Sequence, residues 1–203
     1  MFIKLFFSLF VMLSLVASSH AKSGCDLSQT GDVKVSWKAY KMPLKVGVGG
    51  VFDKVKYISV APVGPNFRSI LVGSKVKIDT SSVNSKNSAR DDKLTQFFFE
   101  QMSNKNIVAK IVDIKAKKVK KGHSKKGIVI VKITMNSKTK KVPMKYSYKK
   151  NIFKASGVID ILDFGASKAL SQINKACYEP HQGKTWSDVN IEFSTKIKVT
   201  LCK

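Results

Sequence analysis

The sequence predicts a mainly β protein, a barrel or sandwich of antiparallel strands with two short helical insertions. Three observations predict it. Apolar residues alternate at period two in several stretches, turn-forming clusters divide those stretches, and only two segments show helical spacing.

In chain order, "DVKVSWKAY" (32–40) sets Val33, Val35, Trp37 and Ala39 on one face against Lys34, Ser36 and Lys38. "VGVGG" and "APVGPN" then read as turns, because Gly admits positive φ and Pro presets its own. "SILVGSKVKID" alternates Ile70, Val72, Ser74, Val76 and Ile78 as a strand. The first helical signal is "SARDDKLTQFFFEQM" (88–102), where Leu94, Phe97, Phe98 and Met102 recur at three and four residues. "KGIVIVKITMN" is a β-branched strand, "MNSKTKK" a turn, and "KVPMKYSYK" puts Val142, Met144, Tyr146 and Tyr148 on one face. The second helical signal is Ala166, Ala169, Leu170 and Ile173. "VNIEFSTKIKVTL" closes the chain, with Val189, Ile191 and Phe193 opposite Asn190, Glu192 and Ser194. No linker, fixed-period repeat or composition shift divides the chain, which is expected to form one domain.

The N-terminus carries an export signal. Lys4 precedes an apolar run over residues 5–16, broken only by Ser8 and Ser14, and Ser19 and Ala21 stand at −3 and −1 of a cleavage site. The run is shorter than the roughly 20 apolar residues that span a bilayer. Lys22 stands where a lipoprotein signal ahead of Cys25 would carry Leu or Val, so no lipid anchor is expected. The expectation is a signal peptide over 1–21 and a periplasmic or secreted domain over 22–203.

The chain has a formal net charge of +24, and losing Lys4 with the signal lowers it by one to +23. Such a charge reads first as a solvated lysine surface and second as a site for a polyanion, with an anionic membrane face as the favoured partner of that kind. Only two of the 37 basic residues are arginines, Arg68 and Arg90. Base and bidentate phosphate readout favour Arg, and the chain has no nucleic-acid-binding motif, so no nucleic acid is expected. The densest basic run, "KAKKVKKGHSKKG" (115–127), lies between two β-like segments and reads as a solvated hairpin.

Motifs for chemistry are missing. "GVGGVF" (47–52) breaks the dinucleotide fingerprint at Phe52 and reads as a glycine turn. "GKT" (183–185) has Tyr178 where a phosphate loop needs its first Gly. No G-x-S-x-G elbow occurs. His123 and His181 lack metal-ligand partners at recognised spacing and read as surface histidines. The 13 acidic residues offer no evident carboxylate pair. No catalytic residue, metal or cofactor is expected, and no enzymatic activity.

The cysteines are Cys25, Cys177 and Cys202, in a compartment that permits disulfides. If the first and last strands pair antiparallel to close a barrel, Cys25 and Cys202 fall at the same end. Cys177, just before the last strand, then lies a strand length away. This favours Cys25–Cys202 with Cys177 free, although spacing alone leaves all three pairings open.

Read together, "VSWKAYKMPLKVGVGGVFDKV", "IDTSSVNSKNSARDDKLTQFFF", "MNSKTKKVPMKYSY" and "ASGVIDILDFG" resemble, in order, the YceI-like family of exported, lipocalin-shaped bacterial proteins. The most specific elements are Ser82, Val83, Asn84, Arg90, Asp91, Leu94, Phe97 and Phe98, then Gly157, Ile159, Asp160, Asp163, Phe164 and Gly165. The departures lie over 166–186. The resemblance implies a single eight-stranded antiparallel lipocalin-like barrel around a long apolar tube. It also implies a long-tailed amphiphile as ligand: a polyisoprenoid, an isoprenoid quinone or a fatty amide, with its tail inside and its head near the mouth. An eight-stranded barrel has room for one slender ligand. The tube candidates are Phe97 and Phe98, on a short helix at the barrel's rim, and Trp37, Phe52, Met144, Tyr146, Phe153 and Phe164, chosen for strand face and size. Asn84, Arg90 and Asp91 are the mouth candidates. Residues 97–99 cannot share one helical face, so at most two of the three phenylalanines line the tube. The runner-up reading is a secreted basic β-protein with a filled barrel that binds anionic envelope or host-surface polymers. A homodimer is compatible with either.

Overall fold

Alternating apolar residues build a curled antiparallel sheet, seen in a computed structural model that describes residues 25–118, 120 and 124–202. The expected signal peptide and His123 lie outside the described residues. The strands are β1 (Cys25–Gln29), β2 (Lys34–Lys41), β3 (Val46–Phe52), β4 (Val55–Ile58), β5 (Val63–Gly64), β6 (Lys75–Asp79) and β7 (Val83–Asn84). They continue with β8 (Asn106–Lys117), β9 (Lys125–Met135), β10 (Lys138–Lys149), β11 (Ile152–Asp160) and β12 (Asp188–Cys202). The hydrogen-bonded order is β4-β6-β8-β9-β10-β11-β12-β2-β3-β7, with β1 against β12 and β5.

Although β4 opens that order and β3 stands next to its other end, they are successive halves of one strand bent at Asp53 and Lys54. The first half pairs with β2 and the second with β6. The bend is held by the 3₁₀ turn Thr80–Ser82: Asp53 N–H donates to the Ser82 carbonyl (2.9 Å), and Asp79 N–H to that of Lys54 (3.1 Å). With β3–β4 counted once, eight strands run around a cylinder. The long hairpins turn on left-handed pairs, Asn136–Ser137 (φ 50° and 60°) and Lys150–Asn151 (φ 50° and 63°), whose twist matches the flanking strands.

Among the described residues four helices are added: α1 (Phe67–Leu71), α2 (Ser88–Phe97), α3 (Ser167–Ala176) and α4 (Tyr178–His181). Two local expectations are corrected. The first half of "SILVGSKVKID" is α1, not strand, because a capping box joins Asn66 and Ser69 and the helix buries Phe67, Ile70 and Leu71 on one side. "VGVGG" is β3, not a turn. Its glycines leave room for neighbours: a Cβ on Gly50 would come within 2.6 Å of Trp37 Cζ2 and 2.7 Å of the Asn84 carbonyl oxygen.

Candidate functional site

Residues pointing into the cylinder leave it hollow. A deep cavity of about 110 Å³ is lined from every one of the eight strands. Examples are Val35 (β2), Phe52 (β3), Tyr57 (β4), Val76 (β6), Ala109 (β8), Ile133 (β9), Met144 (β10), Ile159 (β11) and Phe193 (β12). Among the described residues its one carboxylate, Glu192, is tied to Lys154 at 2.8 Å. A second cavity of about 180 Å³ lies toward the end where α2, α3 and α4 gather. Trp37, Phe52, Ile107, Met135, Ile159 and Ile191 line both, so the two spaces adjoin along one tube. Each is many times the roughly 15 Å³ that holds one water, and apolar walls of this kind favour an apolar occupant.

One end is plugged. Phe67 of α1 packs edge-on against Tyr148 (5.0 Å between centroids) and Phe153 (5.1 Å). Tyr146 stacks on Phe153 at 4.9 Å, and Phe153 on Phe193 at 6.0 Å. Burial pushes the Tyr146 and Tyr148 hydroxyls above the usual phenol range. Outside this plug, Arg68 forms an ion pair with Asp113, which sits at a bulge in β8.

The other end is a basic mouth. Tyr40, Lys41, Arg90, Lys93, His181, Thr185 and Trp186 line it beside the apolar Leu94, Phe98, Phe99, Leu170 and Ile173. The β2–β3 hairpin is strapped to the loop after α4, with Met42 N–H donating to the Lys184 carbonyl (2.9 Å) and Trp186 Nε1–H to that of Met42 (2.9 Å). Asn174 Nδ2 donates to the Gly183 carbonyl (3.2 Å), and Thr185 Oγ1 donates to Asn174 Oδ1 (2.8 Å). At 2.7 Å from a hydroxyl whose proton is already committed, His181 Nδ1 is therefore the donor. Burial first, then the charges of Lys41 and Lys93, hold His181 below its ordinary pKa.

The expected tube residues divide. Trp37 and Phe52 line both cavities, Phe98 the mouth and Met144 the deep part. Phe97, Tyr146, Phe153 and Phe164 line neither. Phe97 ends α2, and the chain then enters the 3₁₀ turn Phe99–Gln101, which brings Phe98 and Phe99 to the cavity instead. Tyr146 and Phe153 belong to the plug, and Phe164, 1% exposed, closes the 3₁₀ turn ahead of α3. Of the expected mouth residues, only Arg90 borders the cavity. Asn84 donates to Asp53 (2.8 Å) and accepts from Lys86 N–H (3.0 Å), while Asp91 accepts from Ser85 N–H (2.9 Å). Both serve the turn into α2, whose backbone donors need acceptors. His181, expected on the surface, is a half-buried lining residue. Phe98 and Phe99 are thus the two of the three consecutive phenylalanines that line the mouth; Cys177, read only as the free cysteine, lines it too, as do Lys41 and Lys93, which no sequence pattern marked. The helical spacing that marked Leu170 and Ile173 was the available signal for this wall.

The β1–β12 register sets Cys25 opposite Cys202, Cys25 is disulfide-bonded, and Cys177 is free and buried. Among the described residues no three His, Cys, Asp or Glu side chains gather as a metal-ligand set.

Comparison with known proteins agrees with this architecture. A polyisoprenoid binding domain from Saccharophagus degradans, implicated in plant cell wall breakdown, superposes with a TM-score of 0.60 at 11% identity, covering 85% of this chain and 98% of that one. BcnA from Burkholderia cenocepacia gives 0.57 at 16% identity, over 83% and 99%. A Campylobacter jejuni YceI protein gives 0.52 at 19% identity, over 76% and 85%. No curated protein matches. The YceI-like domain itself matches residues 26–197, nearly all of the barrel from β1 into β12. With a fold, a hollow lumen and a sequence profile in agreement, the chain belongs to the YceI-like family.

Proposed function

We propose that this protein is an exported carrier that shields a long-tailed amphiphile from water. The tail of an isoprenoid, an isoprenoid quinone or a fatty amide lies in the lumen and its head at the mouth. The observation that carries this reading is the continuous apolar lining contributed by all eight strands. Likeness to a polyisoprenoid binding domain supports it. Each methylene withdrawn from water contributes about 0.8 kcal/mol, so ten of them supply about 8 kcal/mol before the tail's ordering is subtracted. Among the described residues no paired catalytic groups line the lumen, and the role proposed is that of a carrier, store or sensor. Leu44, 87% exposed at the tip of the β2–β3 hairpin near Lys41 and Lys45, suits exchange of cargo at an anionic membrane face.

Organic extraction of the purified protein followed by mass spectrometry tests the reading. A stoichiometric long-chain amphiphile is expected. Ala109→Phe, which fills the deep cavity, is expected to lower the retained lipid or shift it to shorter chains. No bound lipid, together with salt-sensitive binding to polyanions, would establish the basic surface as the functional feature instead.

A further inference from the structure

Resting on the lumen as a tail site, we infer that the mouth selects an acidic head: a carboxylate or phosphate held by Lys41, Arg90, Lys93 and His181. The four come from β2, α2 and α4, far apart in sequence, and the fold brings them to the wall of one cavity. Among the described residues no Asp or Glu lines that cavity. The ion pairs among the described residues are Lys45–Asp188, Arg68–Asp113, Lys140–Asp163 and Lys154–Glu192, and none of the four mouth groups takes part. The nearest carboxylate in sequence, Asp91, already accepts from Ser85 N–H. The exposed Asp92 and Glu179, on α2 and α4, are not lining residues. Like charges gathered beside an apolar space without a built-in counter-charge repel one another, and an anion placed among them relieves that repulsion.

The polar chain behind His181 fixes how an anion is received. With Nδ1–H committed to Thr185, Nε2 is the nitrogen left for a ligand. It is a bare acceptor while the ring is neutral. An oxyanion favours the protonated ring and then accepts the new Nε2–H as a charge-assisted hydrogen bond, about twice as strong as a neutral one. The deep cavity holds no unpaired charge, so discrimination between heads falls to the mouth.

Calorimetric titration of delipidated protein with hexadecanoate, monohexadecyl phosphate, hexadecanol and hexadecanamide tests this, at low salt where charge is least screened. The two acidic probes are expected to bind about tenfold or more tightly than the two neutral ones. If only one of the acidic probes shows that advantage, it names which oxyanion the mouth takes. The double variant Lys41→Glu/Lys93→Glu is expected to erase the advantage of the acidic probes over the neutral ones. Lys132→Glu, exposed on β9, is expected to keep it. In NMR titrations, hexadecanoate is expected to raise the His181 pKa and hexadecanol to leave it low. Equal affinity for all four probes overturns the inference and leaves the tail site standing. So does an acid preference that survives the double variant, because the overall charge then explains it. Failure of every probe to bind overturns the tail site, and this inference with it.

Discussion

Trp37 lies where the two cavities meet, and its indole crosses Gly50 on the neighbouring strand, the residue directly opposite it in register. Gly50→Ala drives a Cβ toward both the indole and the fixed Asn84 carbonyl. A loss of about 1–3 kcal/mol is expected in urea unfolding, the usual cost of overpacking. His181 gives a pH prediction. Burial, reinforced by Lys41 and Lys93, makes the folded protein resist a proton that the unfolded chain accepts as pH falls through about 6.5. The unfolded state then binds more protons, so stability drops below that pH. His181→Gln is expected to flatten this part of the profile, and thermal midpoints between about pH 5 and 7.5 check it. Legibility at this scale was uneven. Alternation put Trp37, Met144, Tyr146 and Phe153 on inward faces, but it reports the face and not the depth. Two of these line the tube and two fill the plug.

At the scale of elements, α1 converts an open cylinder into a tube closed at one end. Asn66→Ala removes its cap and is expected to cost about 1 kcal/mol. Phe67→Ala empties the centre of the aromatic plug and is expected to cost about 3–5 kcal/mol in chemical denaturation. A Phe67→Ala protein as stable as the wild type would show the plug to be loosely packed. Neither α1 nor β3 was legible from period alone. A five-residue helix is shorter than a useful periodic window, and a glycine-rich strand lacks the side chains by which alternation is read. The longer segments fared better: β9, β10, β12 and α3 lie where their spacing placed them.

For the whole molecule, the ends of the chain are tied together. Antiparallel β1 and β12 set Cys25 against Cys202, and non-reducing peptide mapping is expected to recover that pair, with Cys177 alkylated only after denaturation. Reducing the Cys25 disulfide is expected to lower stability by about 2–4 kcal/mol, measured by thermal unfolding with and without reductant. The charge of the chain acts at this scale too. A pronounced preference for anionic over neutral vesicles, falling with salt, is expected, and Leu44→Asp at the hairpin tip is expected to weaken it.

Class and family were determined by the sequence itself. Period-two alternation is a local consequence of strand geometry, and the ordered motifs are short enough to be read without contacts. Which inward residues enclose space and which fill it depends on contacts made across the fold. Lys41, Arg90, Lys93 and His181 come from three elements separated by long stretches of chain, and they share a wall because β2, α2 and α4 meet at one end of the barrel. Convergence of that kind depends on strand register and helix docking, long-range quantities that no local pattern encodes.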